Sequence, residues 1–165
     1  MGLISFIKEA GEKLFNKGAA KDAIAQAQAD PAAEEKAKAA SDAAGDAIVT
    51  YIHAMNLDAT GLLVNYEAKS GVVTVFGVAP DQETKEKIVL CCGNVAGVTS
   101  VNDMMSVDQS GPDGKFYTVV SGDTLSKISK QYYGNANDYM KIFEANKPML
   151  SHPDKIYPGQ VLRIP

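Results

Sequence analysis

The 165-residue sequence has no tryptophan and only two cysteines, Cys91 and Cys92, which are adjacent. Neighbouring cysteines seldom bond to each other, so a small scaffold stapled by disulfides is excluded. We interpret the pair as small apolar residues on a helix, in preference to a redox or metal site. The longest apolar runs span about five residues, far short of the ~20 that a bilayer requires, and predict no membrane span.

A strong charge of either sign is also missing. The net charge is −4, and residues 1–45, 46–108 and 109–165 sum to −1, −5 and +2. Proteins that bind nucleic acid carry a pronounced basic patch. Because no third of the chain is strongly basic, we expect no nucleic-acid partner.

The opening residues lack the basic stretch that precedes the apolar core of a secretory leader, and their apolar run ends at Lys8. We therefore expect a cytoplasmic protein.

Motifs of catalysis are equally scarce. The sequence has no glycine-rich phosphate loop, and Asp103, Asp108 and Asp113 are spaced by five rather than by the two residues typical of an EF-hand. His53 and His152 show no spacing that joins them to each other or to a cysteine. We expect that the protein is not an enzyme.

Residues 3–15 carry apolar side chains at helical spacing, namely Leu3, Ile7, Ala10 and Leu14, with charged residues off that stripe. This pattern predicts an amphipathic helix that must bury one face. Docking on the next domain and binding to a membrane surface are the alternatives, and the mixed charges favour docking.

Alanine fills 14 of the 29 positions from 19 to 47, which favours helix. Asp30 and Pro31 predict a helix start, with Asp30 as the N-cap. Because this stretch has few large side chains to bury, we expect a solvated, partly helical spacer. The amphipathic helix and the spacer together form the predicted segment 1–45.

Residues 46–108 predict a compact unit of order α-β-β-α-β. A helical stripe that includes Ile48 and Ile52 precedes two strands joined by a turn at 69–71. A second helix begins after Asp81, and Gly93 is expected to end it. That helix should bury Ile88, Cys91, Cys92 and Val95, and a last strand should run from about Val98 to Val107.

Residues 109–114 have the composition of a linker. Residues 115–165 predict a second unit of order β-α-α-β, in which Asp123 caps the first helix and the residues from Gly134 to Asn137 end it. The whole chain is therefore expected to be α+β, with N-terminal helices followed by two small domains.

The second unit resembles a LysM domain. The matching segments are YTVVSGDTLSKIS at 117–129, IFEAN at 142–146 and IYPGQVLRIP at 156–165. The unit at 46–108 resembles a BON domain, through VTVFGV at 73–78 and GVTSV at 97–101. Together with FIKEAGEKLF at 6–15, this arrangement is similar to the bacterial cytoplasmic potassium-binding proteins of the BON–LysM family.

That resemblance implies a potassium sensor whose ligands are main-chain carbonyl oxygens, which replace the water shell of a weakly hydrated cation. K⁺ is the implied ligand, and Rb⁺ and Cs⁺ should also bind. The implied ligand residues lie in two stretches that match the family: Ile7, Ala10, Glu12, Gly93, Val95 and Val98. Binding should clamp the N-terminal helix onto the middle domain and make the chain more compact.

The residues themselves leave this site open. Residues 92–98 follow a predicted helix C-terminus, where carbonyls lack helical partners, and Gly93 and Gly97 allow backbone reversal. Ordinary glycine-containing helix ends are the alternative interpretation of the same pattern.

Two other functions stay open as well. LysM domains commonly bind N-acetylglucosamine polymers such as peptidoglycan, and the corresponding loops here carry Gly122, Asp123, Thr124, Leu125, Asn146 and Ile156. An adaptor that binds other proteins is the third hypothesis. In each case we expect a monomer, and for a sensor the downstream protein partner is unknown.

Overall fold

The computed structural model describes residues 3–5, 34–95 and 97–165. Their fold is α+β, as predicted. In chain order the elements are β1 (Leu3–Ser5), α1 (Glu34–Ala54), β2 (Thr60–Glu67), β3 (Val72–Asp81), α2 (Gln82–Gly93), β4 (Ser100–Gln109), β5 (Lys115–Thr118), α3 (Leu125–Tyr133), a 3₁₀ turn (Ala136–Asp138), α4 (Tyr139–Ala145) and β6 (Val161–Ile164). None of the helices in this part of the chain is long and apolar enough to cross a bilayer.

The first four strands form one sheet in the order β1-β4-β3-β2. Strands β2 and β3 make an antiparallel hairpin whose turn ends at Gly71, with a φ of +70° and an N–H that donates to the Glu67 carbonyl at 2.8 Å. Strand β4 runs parallel to β3 because helix α2 crosses between them. Strand β1 is antiparallel to β4, with Ser5 opposite Ser100.

One face of this sheet forms the core with α1 and α2. Alternate strand residues are buried, as period-2 patterning requires. Helix α1 approaches β2 so closely at Gly45 that a Cβ atom there would lie 2.2 Å from the Val64 carbonyl oxygen. The fully buried side chains of this core include Ala44, Ile48, Ile52, Val73, Val75, Ile88, Cys91, Cys92, Val95, Val98 and Val101.

The predicted N-terminal helix over 3–15 is wrong at its start, because Leu3–Ser5 is a strand. Pairing with the otherwise open edge of β4 satisfies backbone groups that a helix end would leave unpaired, and this outweighs the helical periodicity. The rest of that predicted helix lies outside the described residues, as do Asp30 and residues 19–33 of the alanine-rich stretch.

The second part of the alanine-rich stretch is not a solvated spacer. Helix α1 runs without a break from Glu34 through the expected boundary at residue 46. Ala44 is fully buried and Ala40 packs against the core. The small side chains let the helix lie close to the sheet, so alanine serves packing here, which we had not predicted.

The C-terminal unit pairs β5 with β6 in a two-stranded antiparallel sheet, and α3 and α4 pack against this sheet around a separate core. Helix α3 ends at Gly134, as predicted, and this glycine has the left-handed conformation. The predicted cap is wrong by one residue, because the Thr124 hydroxyl accepts from the Lys127 N–H at 3.2 Å. The Asp123 carboxylate instead accepts from the Tyr117 hydroxyl at 2.7 Å and the Val120 N–H at 2.9 Å, so it ties β5 to the loop before α3.

The two units share an interface. The buried carboxylate of Glu86 on α2 accepts from the Arg163 guanidinium on β6, and also from the Gly114 N–H at 2.9 Å. Met149 and Val161 of the C-terminal unit belong to the core of the first unit. The expected linker is therefore held against helix α2, and the two domains pack on each other.

Candidate functional site

The chain reverses direction between the end of α2 and the start of β4, through residues 94–99, here called the 94–99 turn. Helix α2 ends at Gly93, and Asn94 caps it by donating its N–H to the Leu90 carbonyl at 3.0 Å. The reversal occurs at Gly97, with a φ of +91°, and the Val98 N–H donates to the Val95 carbonyl at 3.2 Å. Of the two glycines predicted to allow reversal, Gly97 has the left-handed conformation and Gly93 is helical.

The far end of the turn is attached to the β2–β3 hairpin. The Thr99 N–H donates to the Gly71 carbonyl, and the Thr99 hydroxyl donates to the Ser70 carbonyl, both at 2.8 Å. A Cβ atom on Gly71 would lie 2.8 Å from the Gly97 carbonyl oxygen. The two turns therefore touch through their backbones, and only a glycine at residue 71 permits this distance.

The near end of the turn is attached to the C-terminal unit. The Asn94 side-chain amide donates to the Val161 carbonyl at 3.2 Å, and its oxygen accepts from the Val161 N–H at 3.2 Å. Asn94 is 3% exposed. Sequence patterns alone give no reason to select this residue, because its partner lies 67 positions away.

Three of the six predicted ligand residues, Gly93, Val95 and Val98, lie in or beside this turn and are buried. The carbonyls at a helix C-terminus carry a partial negative charge that favours a cation. Ile7, Ala10 and Glu12 lie outside the described residues. Strand β1, however, places Ser5 opposite Ser100, at the end of the sheet where Val98 lies.

The residues of the 94–99 turn carry no ionisable side chain. Within residues 34–95 and 97–165, no three histidine, cysteine or acidic side chains come together in a group that could hold a metal ion. Burial raises the pKa of the Cys91 thiol well above its usual value and that of Cys92 to about 12. Both thiols are therefore protonated at neutral pH, which agrees with their interpretation as apolar residues.

A second concave surface, here called the LysM groove, lies beside the start of α3 and has a volume of about 340 Å³. Thr124 and Leu125 line it, as expected for the glycan alternative, whereas Gly122, Asp123 and Ile156 are not among its lining residues. Asn146 is 2% exposed, and its amide is hydrogen-bonded to β6, so its side chain does not face a ligand. The other lining residues are Ser126, Tyr139, His152, Pro153 and Asp154, of which the last three lie in the expected loop between Asn146 and Ile156.

Comparison with known proteins supports both domain assignments. The LysM domain model matches residues 117–165, and the BON domain model matches residues 54–109. An uncharacterized protein of Deinococcus radiodurans is 55% identical over 49 residues, which are 30% of this chain and 19% of that protein. The uncharacterized protein YqbP of Bacillus subtilis is 37% identical over 60 residues, 31% of this chain and 27% of that protein.

One relative aligns with the chain along its whole length. The potassium binding protein Kbp of Escherichia coli is 47% identical over 169 aligned residues, covering 100% of this chain and 99% of the relative. With this identity along the whole length, and with both domain models matched, the chain belongs to the BON–LysM protein family that includes Kbp.

Proposed function

We propose that this protein binds the potassium ion and has no catalytic activity. The similarity to a named potassium binding protein along the whole chain carries this proposal. A second support is the neutral, main-chain character of the 94–99 turn, because a weakly hydrated monovalent cation is well served by uncharged carbonyl oxygens.

The proposed ligands in the turn are the carbonyl oxygens of Gly93, Val95 and Val98. The left-handed conformation of Gly97 lets successive carbonyls deviate from the directions of a helix or strand. The Val95 oxygen accepts one hydrogen bond from the Val98 N–H. Since a carbonyl oxygen has two lone pairs, that bond leaves capacity for an ion.

The remaining proposed ligands are the carbonyl oxygens of Ile7, Ala10 and Glu12. Ile7 is two residues beyond Ser5, so the chain spans at most ~7 Å between them. Ser5 lies opposite Ser100, two residues beyond Val98. Strand β1 thus ends beside the start of β4, and this supports a site made from both stretches.

A site without charged ligands should discriminate among cations. Mg²⁺ demands tight octahedral geometry and gives up water reluctantly, so neutral carbonyls do not compensate for its dehydration. We expect K⁺, Rb⁺ and Cs⁺ to bind in preference to Na⁺ and Mg²⁺.

Because the proposed ligands come from the N-terminal stretch and from residues 93–98, binding would join that stretch to the BON domain. We propose that this clamp makes the chain more compact and stable, and that a cytoplasmic monomer in this state signals to a protein partner. An ion that binds only the closed form shifts the population towards it. The radius of gyration from small-angle scattering should fall when K⁺ is added.

Isothermal titration of the protein with KCl, NaCl, RbCl, CsCl and MgCl₂ tests the ion-binding proposal. Saturable heat with K⁺, Rb⁺ and Cs⁺, and weak or absent heat with Na⁺ and Mg²⁺, is the expected result. Tighter binding of Mg²⁺ than of K⁺ would exclude a site of neutral carbonyls.

The LysM groove supports a second candidate function, the binding of N-acetylglucosamine polymers. Its lining combines hydroxyl groups with Tyr139, an aromatic ring suited to sugar contacts. Titration with chitooligosaccharides in the presence and absence of KCl tests it, since glycan binding without any effect of potassium would assign the groove an independent role.

A further inference from the structure

Asn94 lies between Gly93 and Val95, two of the residues proposed to contact the ion. Its backbone N–H caps helix α2, and its side chain reaches the other domain. Both ends of this residue are therefore held, and the directions of the peptide groups on either side depend on it.

The partner of this side chain is the backbone of strand β6. The amide of Asn94 hydrogen-bonds to both the N–H and the carbonyl of Val161, which is 3% exposed. This is the pairing that a neighbouring strand would make at the same residue. The buried ion pair of Glu86 and Arg163 holds the same strand against the same helix.

We infer that Asn94 is a positioning residue for the cation site, and that it couples the site to the LysM domain through Val161. The carbonyls of Gly93 and Val95 keep the orientation suited to K⁺ because β6 holds the side chain between them. The LysM domain thereby contributes to ion affinity without supplying a ligand.

This inference rests on the proposed function, and thermodynamic linkage makes it reciprocal. If the docked LysM domain raises the affinity for K⁺, then K⁺ strengthens the docking by the same factor. The contact of Asn94 with Val161 is consequently a route by which bound potassium alters the C-terminal domain.

The test compares Asn94→Ala with Asn146→Ala. Asn146 makes the same pair of hydrogen bonds to the backbone of Arg163 on β6, but within the C-terminal unit. Both variants remove a buried side-chain amide that hydrogen-bonds to the backbone of β6, and only Asn94→Ala changes the 94–99 turn. The readouts are K⁺ affinity by titration calorimetry, the melting temperature without K⁺, and folding by circular dichroism.

We expect Asn94→Ala to bind K⁺ at least about tenfold more weakly than the unmodified protein, the scale typical of a coupling between two sites. Asn146→Ala should lower the melting temperature at least as much as Asn94→Ala does, but it should keep the K⁺ affinity of the unmodified protein. If Asn94→Ala and the unmodified protein bind K⁺ with equal affinity, this inference is overturned and the proposed function is unaffected. Failure of the unmodified protein to bind K⁺ would overturn the proposed function instead.

A measurement on the unmodified protein decides the matter even if a variant does not fold. In an amide NMR titration with KCl, the Val161 resonance should move with the same midpoint as the calorimetric binding, and its hydrogen exchange should slow. NaCl at equal ionic strength should leave it in place. A Val161 resonance that does not respond to K⁺ would contradict the coupling.

Discussion

The 94–99 turn and the LysM groove differ in what they present to a ligand. In the turn, Val95 and Val98 are fully buried, and the proposed ligands are backbone carbonyl oxygens. The groove is open and lined by side chains that include Tyr139 and His152. Backbone oxygens suit an ion without directional demands, whereas hydroxyl and aromatic side chains suit a sugar, so each surface should be sensitive to a different kind of change.

The largest effect should come from removing the N-terminal half of the proposed ion site. Deleting residues 1–13 should abolish K⁺ binding, measured by calorimetry, because it removes the carbonyls of Ile7, Ala10 and Glu12. The deletion also removes strand β1, so folding is checked by circular dichroism.

Replacement of residues 19–29 by a glycine-serine linker of equal length is the matched control. It changes the alanine-rich stretch and leaves all proposed ligands in place, so K⁺ affinity should be retained. Undiminished K⁺ binding by the deletion variant would place the whole site within the described domains.

Breaking the ion pair between the two units should have the next largest effect. The side chains of Arg163 and Glu86 are 8% and 6% exposed, so Arg163→Met leaves a buried carboxylate without its cation. We expect the free energy of unfolding to fall by about 3–5 kcal/mol in urea denaturation. Addition of Glu86→Gln removes the charge but keeps an acceptor for the Gly114 N–H, and it should recover part of the loss. A double variant no more stable than the single one would mean that the buried charge is not the cause.

A smaller and more local effect should follow from Gly71→Ala. The added Cβ atom would lie 2.8 Å from the Gly97 carbonyl oxygen, so the 94–99 turn must move, and we expect K⁺ to bind roughly tenfold more weakly, equivalent to ~1.4 kcal/mol. Gly134→Ala is the control, since Gly134 has a φ of +74° but no atom within 4 Å of such a Cβ. Both variants force alanine into a left-handed conformation, and Gly71→Ala adds the close contact, so Gly71→Ala should lose more stability and only Gly71→Ala should lose affinity. If Gly71→Ala and Gly134→Ala bind K⁺ with equal affinity, the 94–99 turn is not part of the ion site.

The smallest effect concerns the loop beside the LysM groove. The hydrogen bond to Asp123, together with burial, raises the pKa of the Tyr117 phenol from its ordinary value of 10.0 to about 12. Because the folded pKa is the higher one, the stability this bond contributes is present below about pH 10 and is lost as pH rises through about 12. The pKa of Tyr117 is measured by ultraviolet titration of tyrosine ionisation, compared between the unmodified protein and Tyr117→Phe. Normal ionisation of Tyr117 near pH 10 would mean that the bond to Asp123 does not form. The K⁺ affinity of Tyr117→Phe should equal that of the unmodified protein.

The sequence allowed most of the two small domains to be predicted, because their strands alternate and their turns carry glycine. Asp81 caps α2 by accepting from the Thr84 N–H at 2.7 Å, and Gly71 ends the hairpin turn. These features depend on neighbours a few residues away. The strand at Leu3–Ser5 was not predicted, because it is stabilised by pairing with the edge of β4, almost a hundred positions further along the chain.

The candidate site was harder to predict from the sequence, because it also depends on contacts between distant segments. Main-chain ligands leave no side-chain pattern, so the implied set came from family resemblance, and half of it lies outside the described residues. The contact of Asn94 with Val161 and the approach of Gly71 to Gly97 join segments that are distant in sequence. Both became visible only when the fold brought those segments together.

The central claim is that K⁺ is bound by carbonyl oxygens of the 94–99 turn and the residue before it. A KCl titration that follows backbone carbonyl carbon shifts by NMR tests this most directly. We predict saturable shifts at Gly93, Val95 and Val98 with a common midpoint, no such shifts at Ser126 and Tyr139 in the groove, and no saturation with NaCl. Carbonyl shifts that are confined to other residues, or that are equal for KCl and NaCl, would contradict the account.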